Sequence, residues 1–260
     1  MNEQLLYAVL LSALAGLATT LGSLLGIFVR KPGPTFMAFT LGFAAGVMVH
    51  VSYVELLQTA VTDIGFGWAH VAFFGGMGVM FVIDLLIPHE WGAEHYEGPG
   101  DGTRRVAMRT GLLVALGIAI HNFPEGLVTF TGAMKNLDLG IALAVAVGIH
   151  NIPEGLAVSV PIYAATGSRK KAFWWSFLSG ISEPVGALMG ALILAPFLSK
   201  TLLGVFLGGV GGIMVFISLD ELVPAAREYE KEHVAIAGVL LGMVVMAISL
   251  WALRISGAGG

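Results

Sequence analysis

The sequence contains no cysteine and little charge. None of its 260 residues is cysteine, and only 12% are Asp, Glu, Lys or Arg. Without cysteine the chain can form neither disulfides nor thiolate metal sites. Soluble domains typically carry about 25% charged residues. This composition, with 57% hydrophobic residues, therefore excludes an ordinary soluble domain and indicates an integral membrane protein.

The apolar residues fall into eight segments, each near the roughly 20 residues that a membrane-spanning helix needs. The segments are 5–28, 35–58, 68–88, 107–131, 139–164, 172–194, 201–223 and 234–255. They predict an all-α membrane protein, and we interpret residues 1–260 as a single transmembrane domain. The first segment lacks the basic start and the small-residue cleavage site of a signal peptide.

Lysines and arginines are distributed unevenly between the two ends of these segments. Ten lie at one end: Arg30, Lys31, Arg104, Arg105, Arg109, Arg169, Lys170, Lys171, Arg227 and Lys231. Only Lys135, Lys200 and Arg254 lie at the other. Because basic residues accumulate on the cytoplasmic side, we expect both termini on the periplasmic side of a bacterial inner membrane. We expect the lipid bilayer to surround the helices. The net charge is −4, and no nucleic-acid partner is expected.

An internal repeat relates segments 1–3 to segments 6–8, with segments 4 and 5 between them. Residues of segment 2 recur 166 positions later in segment 7, among them Gly46, Met48, Ser52 and Glu55, which correspond to Gly212, Met214, Ser218 and Glu221. The same offset relates segments 3 and 8, and an offset of 164 relates segments 1 and 6. Equivalent segments would cross in opposite directions, so the sequence predicts an inverted 3+2+3 repeat, an arrangement found in alternating-access transporters.

Segments 4 and 5 each carry the pattern His-Asn-x-Pro-Glu-Gly, at residues 121–126 and 150–155. A His and a Glu four residues apart lie on one face of a helix. The proline clashes with the carbonyl four residues before it and lacks an N–H, so we expect a kink that frees this carbonyl. Each pattern thus offers an imidazole, an amide oxygen, a carboxylate and a loosened carbonyl. These are metal ligands, placed where unpaired charge is costly.

Further carboxylates lie in or at the ends of the apolar segments. The full set is Glu55, Asp84, Glu125, Glu154, Glu183, Asp220 and Glu221, against Arg109 as the one basic residue in a segment. Carboxylates without cationic partners must be protonated or bind cations. Glu183 has Thr19 as its repeat equivalent, so the symmetry is broken where an extra ligand appears. Glu125, Glu154 and Glu183 can bridge two divalent ions.

The ligand types indicate which ions would suit the site. Imidazole, amide and carboxylate groups suit zinc, iron(II), manganese and cobalt, and Met48 would add a soft ligand. A methionine that only fills space is equally compatible with that position. The loop after segment 3, with His89, Glu90, Glu94, His95 and Glu97, is either a solvated acidic loop or a weak cytoplasmic metal-catching loop.

These features together resemble the ZIP (Zrt/Irt-like) metal transporters, especially the bacterial importers of broad divalent-metal range. The resemblance covers nearly the whole chain. It implies that His121, Asn122, Glu125, Asn151 and Glu154 are core ligands of a binuclear site, with His150 at a position where the family varies. It further implies that Glu183 serves the second metal and Met48 the first. Glu55 would lie at the pathway entrance, and Asp84, His89 and Glu221, with Asp220 beside it, at the exit.

The resemblance also implies a mechanism. Segments 1, 4, 5 and 6 would move against segments 2, 3, 7 and 8 as an elevator, often within a homodimer. The expected activity is import of zinc, and also of iron, manganese, cobalt or cadmium, into the cytoplasm, without a catalytic cofactor. The loop after segment 3 departs from the family because it is short and holds only two histidines, so strong trapping of metal there is not expected.

Two other classes of protein remain open from the residues alone. Clustered Glu and His also build membrane-embedded di-metal enzymes, although His89-Glu90 lacks the second histidine that a zinc-protease helix requires. A divalent cation channel is the third class. The inverted repeat favours a transporter over both alternatives.

Overall fold

The computed structural model describes residues 3–28, 33–86, 115, 118–119, 122–194, 197 and 199–255. Its helices are α1 (Glu3–Phe28), α2 (Pro34–Ile64), α3 (Phe66–Leu86), α4 (122–135), α5 (Leu137–Thr166), α6 (Arg169–Met189), α7 (Lys200–Arg227) and α8 (Glu232–Ile255). All but α4 are long and apolar enough in their described residues to cross a membrane. No strand occurs among the described residues, which confirms the predicted all-α membrane protein.

Local sequence signals determine where several helices begin and end. Asn136, Ser168 and Ser199 precede α5, α6 and α7, and each side chain accepts a hydrogen bond from a backbone N–H of the first turn. These side chains satisfy donors that a helix start leaves unpaired. Gly65 and Gly167 end α2 and α5 with φ angles of 80° and 63°, a conformation that glycine adopts without a steric penalty.

Helices α2 and α7 each contain one widened, π-helical turn. The turn in α2 is Ser52–Leu57 and the turn in α7 is Ser218–Leu222, so both begin at positions related by the offset of 166. In each helix the serine at the start of the turn donates a 2.7 Å hydrogen bond to the carbonyl four residues earlier. Such turns occur frequently at functional sites, and these two carry Glu55 and Glu221.

The helices pack as two groups. Helices α1, α4, α5 and α6 form the first group, and α2, α3, α7 and α8 form the second. Within the second group α2 lies along α8 and α3 lies along α7. The two groups meet mainly where α2 contacts α5, through a continuous apolar cluster that includes Ala44, Met48, Leu143 and Ala146.

The backbone contacts within the second group occur in pairs related by the internal repeat. A Cβ atom at Gly46 of α2 would clash with the carbonyl oxygen of Val239 in α8. A Cβ atom at Gly212 of α7 would clash with the carbonyl oxygen of Phe73 in α3. Gly46 and Phe73 lie 166 positions before Gly212 and Val239, so the same backbone contact is made twice. Small residues at these points let the helix backbones approach closely.

The first group contains the same symmetry and extends it to α4 and α5. Gly155 of α5 lies against the Thr19 carbonyl of α1, and Gly126 of α4 lies against the Glu183 carbonyl of α6. Helices α4 and α5 are therefore equivalents of each other, which the 3+2+3 description did not include. At the centre a Cβ at Gly16 would lie 2.7 Å from the Gly180 carbonyl oxygen, and the reciprocal distance is 2.8 Å.

The order of contacts gives the relative directions of the helices. Gly42 and Gly46 of α2 meet Ala235 and Val239 of α8 in the same order, so these helices are parallel. Along α1 and α6 the order is opposite, because Ser12 bonds to the carbonyl of Glu183 whereas the Thr19 carbonyl bonds to Ser176. Parallel α2 and α8 together with antiparallel α1 and α6 are the directions that eight alternating crossings and an inverted repeat require.

Two glycines of α3 test the importance of this close packing. Gly76 faces the carbonyl of Gly209 in α7, whereas a Cβ at Gly78 would meet nothing within 4 Å among the described residues. We expect Gly76→Ala to destabilise the protein by about 1–3 kcal/mol through overpacking. Gly78→Ala should leave stability unchanged or raise it by up to about 1 kcal/mol through helix propensity. Thermal unfolding of both variants in detergent measures the difference, and equal losses would contradict the packing described here.

Candidate metal centre

Three buried side chains from the two repeated patterns meet between α4 and α5. Glu125 comes from α4, and His150 and Glu154 come from successive turns of α5. All three are 0% exposed, and one ligand atom from each lies within 4.8 Å of the others. The Nε2 atom of His150 is 3.3 Å from Oε1 of Glu125. Two carboxylates and an imidazole are a suitable donor set for a divalent transition metal.

The cluster combines the two patterns rather than using each alone. From the spacing we predicted that the His and the Glu of each pattern lie on one face of a helix. In α5, His150 and Glu154 do lie on one face. The structure adds Glu125 of the other pattern to that pair. This follows from the equivalence of α4 and α5, because two symmetry-related helices present the same pattern to a common centre.

The two asparagines of the patterns are held by backbone carbonyls at equivalent positions. The Nδ2 atom of Asn151 donates to the carbonyl of Ala15 at 3.0 Å, and that of Asn122 donates to the carbonyl of Ser179 at 3.3 Å. Both side chains are fully buried, and neither Oδ1 atom has a hydrogen-bond partner among the described residues. Each amide nitrogen is therefore engaged, and each buried amide oxygen remains for a cation.

Glu183 is connected to the second pattern through Asn151. Its Oε2 atom accepts a 2.8 Å hydrogen bond from Asn151 Nδ2, while its Oε1 atom is buried without a hydrogen-bond partner in the described part of the chain. The backbone of Glu183 lies against Gly126 as that of Thr19 lies against Gly155. A carboxylate and a hydroxyl thus occupy equivalent backbone positions, so the extra acid stands on one side of the centre only.

The electrostatics of the centre favour a cation. Among the described residues neither Glu125 nor Glu183 pairs with a lysine or arginine. Carboxylates in a low-dielectric interior are costly unless an opposite charge compensates them. A divalent ion between these oxygens would supply that compensation. It would also bind the Oδ1 atoms of Asn122 and Asn151 and the Oε1 atom of Glu183, which have no hydrogen-bond partner among the described residues.

The other predicted pathway residues lie outside this cluster. Met48 is fully buried in the apolar cluster between α2 and α5, where its side chain contributes to packing. Its role as a metal ligand stays a prediction. Glu55, Asp84 and Glu221 are partly buried, and Asp220 is exposed. Their roles at an entrance or exit also stay predictions. His121 and His89, together with the other His and Glu residues of the 89–101 loop, lie outside the described residues.

The structure also reveals contributors that residue types did not indicate. The carbonyls of Ala15 and Ser179 orient the two asparagines, and Ser12 donates to the backbone carbonyl of Glu183 at 3.2 Å. Any residue can supply a backbone carbonyl, so composition carries no signal for these contacts. The one available signal was the offset of 164, which relates Ala15 to Ser179.

Membrane helices in an inverted repeat around a buried set of carboxylates, amides and imidazole define a membrane transporter of divalent metal ions. Residues 88–250 match the family described as ZIP zinc transporter, and the chain belongs to this family. It is 48% identical to a zinc transporter ZupT of Clostridium perfringens, over 95% of this chain and 96% of that protein. It is 51% identical to a protein of the same name from Chlorobium limicola, over 94% and 96%.

A zinc transporter ZupT of Streptococcus mutans is 48% identical over 96% of this chain and 98% of that protein. Membership of the family makes the chain an importer of divalent metal ions rather than an enzyme, and the resemblance inferred from the repeated patterns is confirmed.

The contact between Asn151 and Glu183 leads to a prediction about stoichiometry. The resemblance to ZIP transporters implies two bound ions. Glu183→Ala should then lower the number of zinc ions bound per chain from two to one, because the second ion would lose a carboxylate that no equivalent residue replaces. Some transport should remain through the Glu125, His150 and Glu154 cluster. The matched control is Thr19→Ala, which removes the hydroxyl at the equivalent position. Metal content of purified protein measures the effect, and retention of two ions by Glu183→Ala would contradict the assignment.

Proposed function

We propose that this protein imports zinc into the cytoplasm by alternating access through a binuclear site on α4, α5 and α6. The observation that carries the proposal is the buried cluster of Glu125, His150 and Glu154 beside Asn122, Asn151 and Glu183. Zinc is proposed because the relatives are named zinc transporters. Iron, manganese, cobalt and cadmium are further substrates that oxygen and nitrogen ligands would accept.

The donor set supports two adjacent subsites. The first would use Glu125, His150 and Glu154, with His121 and Met48 as further ligands implied by the family. The second would use Glu183 and the amide oxygens of Asn122 and Asn151. Glu125 and Glu154 each have two carboxylate oxygens, so either can bridge the two ions. One divalent ion would leave one of the three carboxylate charges uncompensated, and a second ion would compensate it with one positive charge in excess.

The division of the helices into two groups supports an elevator-like motion. Every described side chain of the proposed site except Met48 belongs to the group α1, α4, α5 and α6, so this group can carry the metal as a unit. Its contact with the second group runs mainly through the apolar cluster of α2 and α5, where small residues such as Ala44 and Ala146 lie beside Met48 and Leu143. A mainly apolar contact has few directional bonds to break, which would allow one group to slide along the other.

Topology and location follow from the distribution of charge. The excess of lysine and arginine after segments 1, 3, 5 and 7 supports a periplasmic position for both termini, in a bacterial inner membrane. Glu55 in the π-helical turn of α2 would then lie toward the periplasm, and Glu221 with Asp220 in the turn of α7 toward the cytoplasm. Carboxylates at such mouths raise the local concentration of cations. A homodimer is proposed from the family alone.

Flux measurements distinguish the proposed transporter from a channel. In proteoliposomes the protein should take up zinc at a rate that saturates with concentration, whereas a channel would conduct in proportion to the applied membrane potential without saturating. Glu125→Ala and Glu154→Ala should each abolish uptake, because each removes oxygens that serve both ions. Ser249→Ala, which alters a serine of α8 bonded to its own helix, is the control. Near-normal uptake by either glutamate variant at equal protein levels would refute the proposed site.

A further inference from the structure

An ion pair between described residues joins the two helix groups at the face that carries the α4–α5 turn. Asp63 lies at the end of α2, and its Oδ2 atom is 2.5 Å from Nζ of Lys135, the last residue of α4. Lys200, at the start of α7, lies 3.9 Å from the other carboxylate oxygen, Oδ1. The Asp63 side chain is only 1% exposed, whereas those of Lys135 and Lys200 are 27% and 68% exposed.

Each partner is fixed to its own helix group. Gly204 of α7 faces the end of α2, where a Cβ would lie 2.9 Å from that of Asp63, so Asp63 belongs to the second group. On the other side Gln4 of α1 donates hydrogen bonds of 3.1 and 3.0 Å to the carbonyls of Ala133 and Met134. These bonds hold the end of α4, and with it Lys135, to the first group.

The inverted repeat does not reproduce this ion pair at the opposite face. The offset of 166 relates Asp63 to Tyr229, and the offset of 29 between the two patterns relates Lys135 to Ala164. A tyrosine and an alanine cannot form an ion pair. The connection is thus an asymmetric addition to a symmetric framework, and it occurs on the face that the charge distribution assigns to the periplasm.

We infer that the Asp63–Lys135 pair is a latch that holds the periplasmic ends of the two helix groups together, and that Lys200 takes over Asp63 when Lys135 moves away. The inference rests on the proposed alternating access. Separating the pair would leave the buried carboxylate of Asp63 without the charge of Lys135, which is unfavourable. Lys200 belongs to the same group as Asp63 and is exposed enough to swing toward it, so it would lower the barrier to opening. The latch would therefore set how often the site opens to the periplasm.

The absence of cysteine from the chain allows the latch to be tested by thiol labelling. Ala146 of α5 is fully buried against α2 and is not part of the metal site, so Ala146→Cys reports opening of the periplasmic side. In that background Asp63→Asn or Lys135→Gln should raise the rate of labelling by an impermeant reagent added outside at least threefold. Lys135→Arg, which keeps the positive charge facing Asp63, should leave the rate at the starting value.

A control and a contradicting result follow from the same assay. Asp138→Asn neutralises another acid at this face, in the first turn of α5, and should change the labelling rate less than threefold. Labelling that is unchanged in both Asp63→Asn and Lys135→Gln would overturn the latch. An equal increase in Asp138→Asn would do the same, because the effect would then come from the charge of the whole face.

A cross-link tests whether the two residues must separate during transport. Asp63→Cys with Lys135→Cys, joined by a short reducible bifunctional thiol reagent, should lose at least tenfold in zinc uptake and recover when reduced. Each single cysteine variant should not respond to the reagent. Full uptake by the cross-linked protein would refute the latch while leaving the proposed transport intact. Absence of zinc uptake by the unmodified protein would instead refute the proposed function.

Discussion

The burial of three carboxylates close together between membrane helices is the constraint on which this structure depends. Glu125, Glu154 and Glu183 are all inaccessible to solvent between membrane helices, where an isolated charge is highly unfavourable. The helices place amide oxygens and an imidazole around these acids, so a divalent ion would complete the set. The same constraint accounts for the hydrogen bonds from the amide nitrogens of Asn122 and Asn151 to backbone carbonyls, since these bonds leave both Oδ1 atoms for a cation.

Close backbone contacts at glycine make that arrangement possible. The reciprocal approach of Gly16 and Gly180 lies where α1 and α6 cross, and equivalent contacts recur on both sides of it. The symmetry brings α4 and α5 together, so that Glu125 of one repeated pattern meets His150 and Glu154 of the other. Two departures from symmetry are added to this framework. Glu183 stands at the centre where its equivalent is Thr19, and the offsets relate the ion-paired Asp63 and Lys135 to Tyr229 and Ala164, which cannot form such a pair.

Much of the fold was predictable because a bilayer leaves few alternatives. Hydropathy and helix length gave the membrane helices, and the recurring Gly, Ser and Glu residues gave the relation of α2 to α7. The sequence pattern did not reveal that α2 continues past the predicted end at 58 to Ile64, or that it contains a π-helical turn. The cluster of Glu125 with His150 was also not predictable in detail, because pairing across two helices depends on how α4 and α5 cross, which periodicity along one helix does not specify.

The account depends on metal ions occupying the centre formed by the two patterns. Crystals of the purified protein grown with zinc, measured with X-rays above and below the zinc absorption edge, would locate the ions directly. The account predicts one anomalous peak among the side chains of Glu125, His150 and Glu154, and a second peak next to Glu183 and Asn151. Zinc found only at surface histidines or acids, with no peak between α4, α5 and α6, would contradict it.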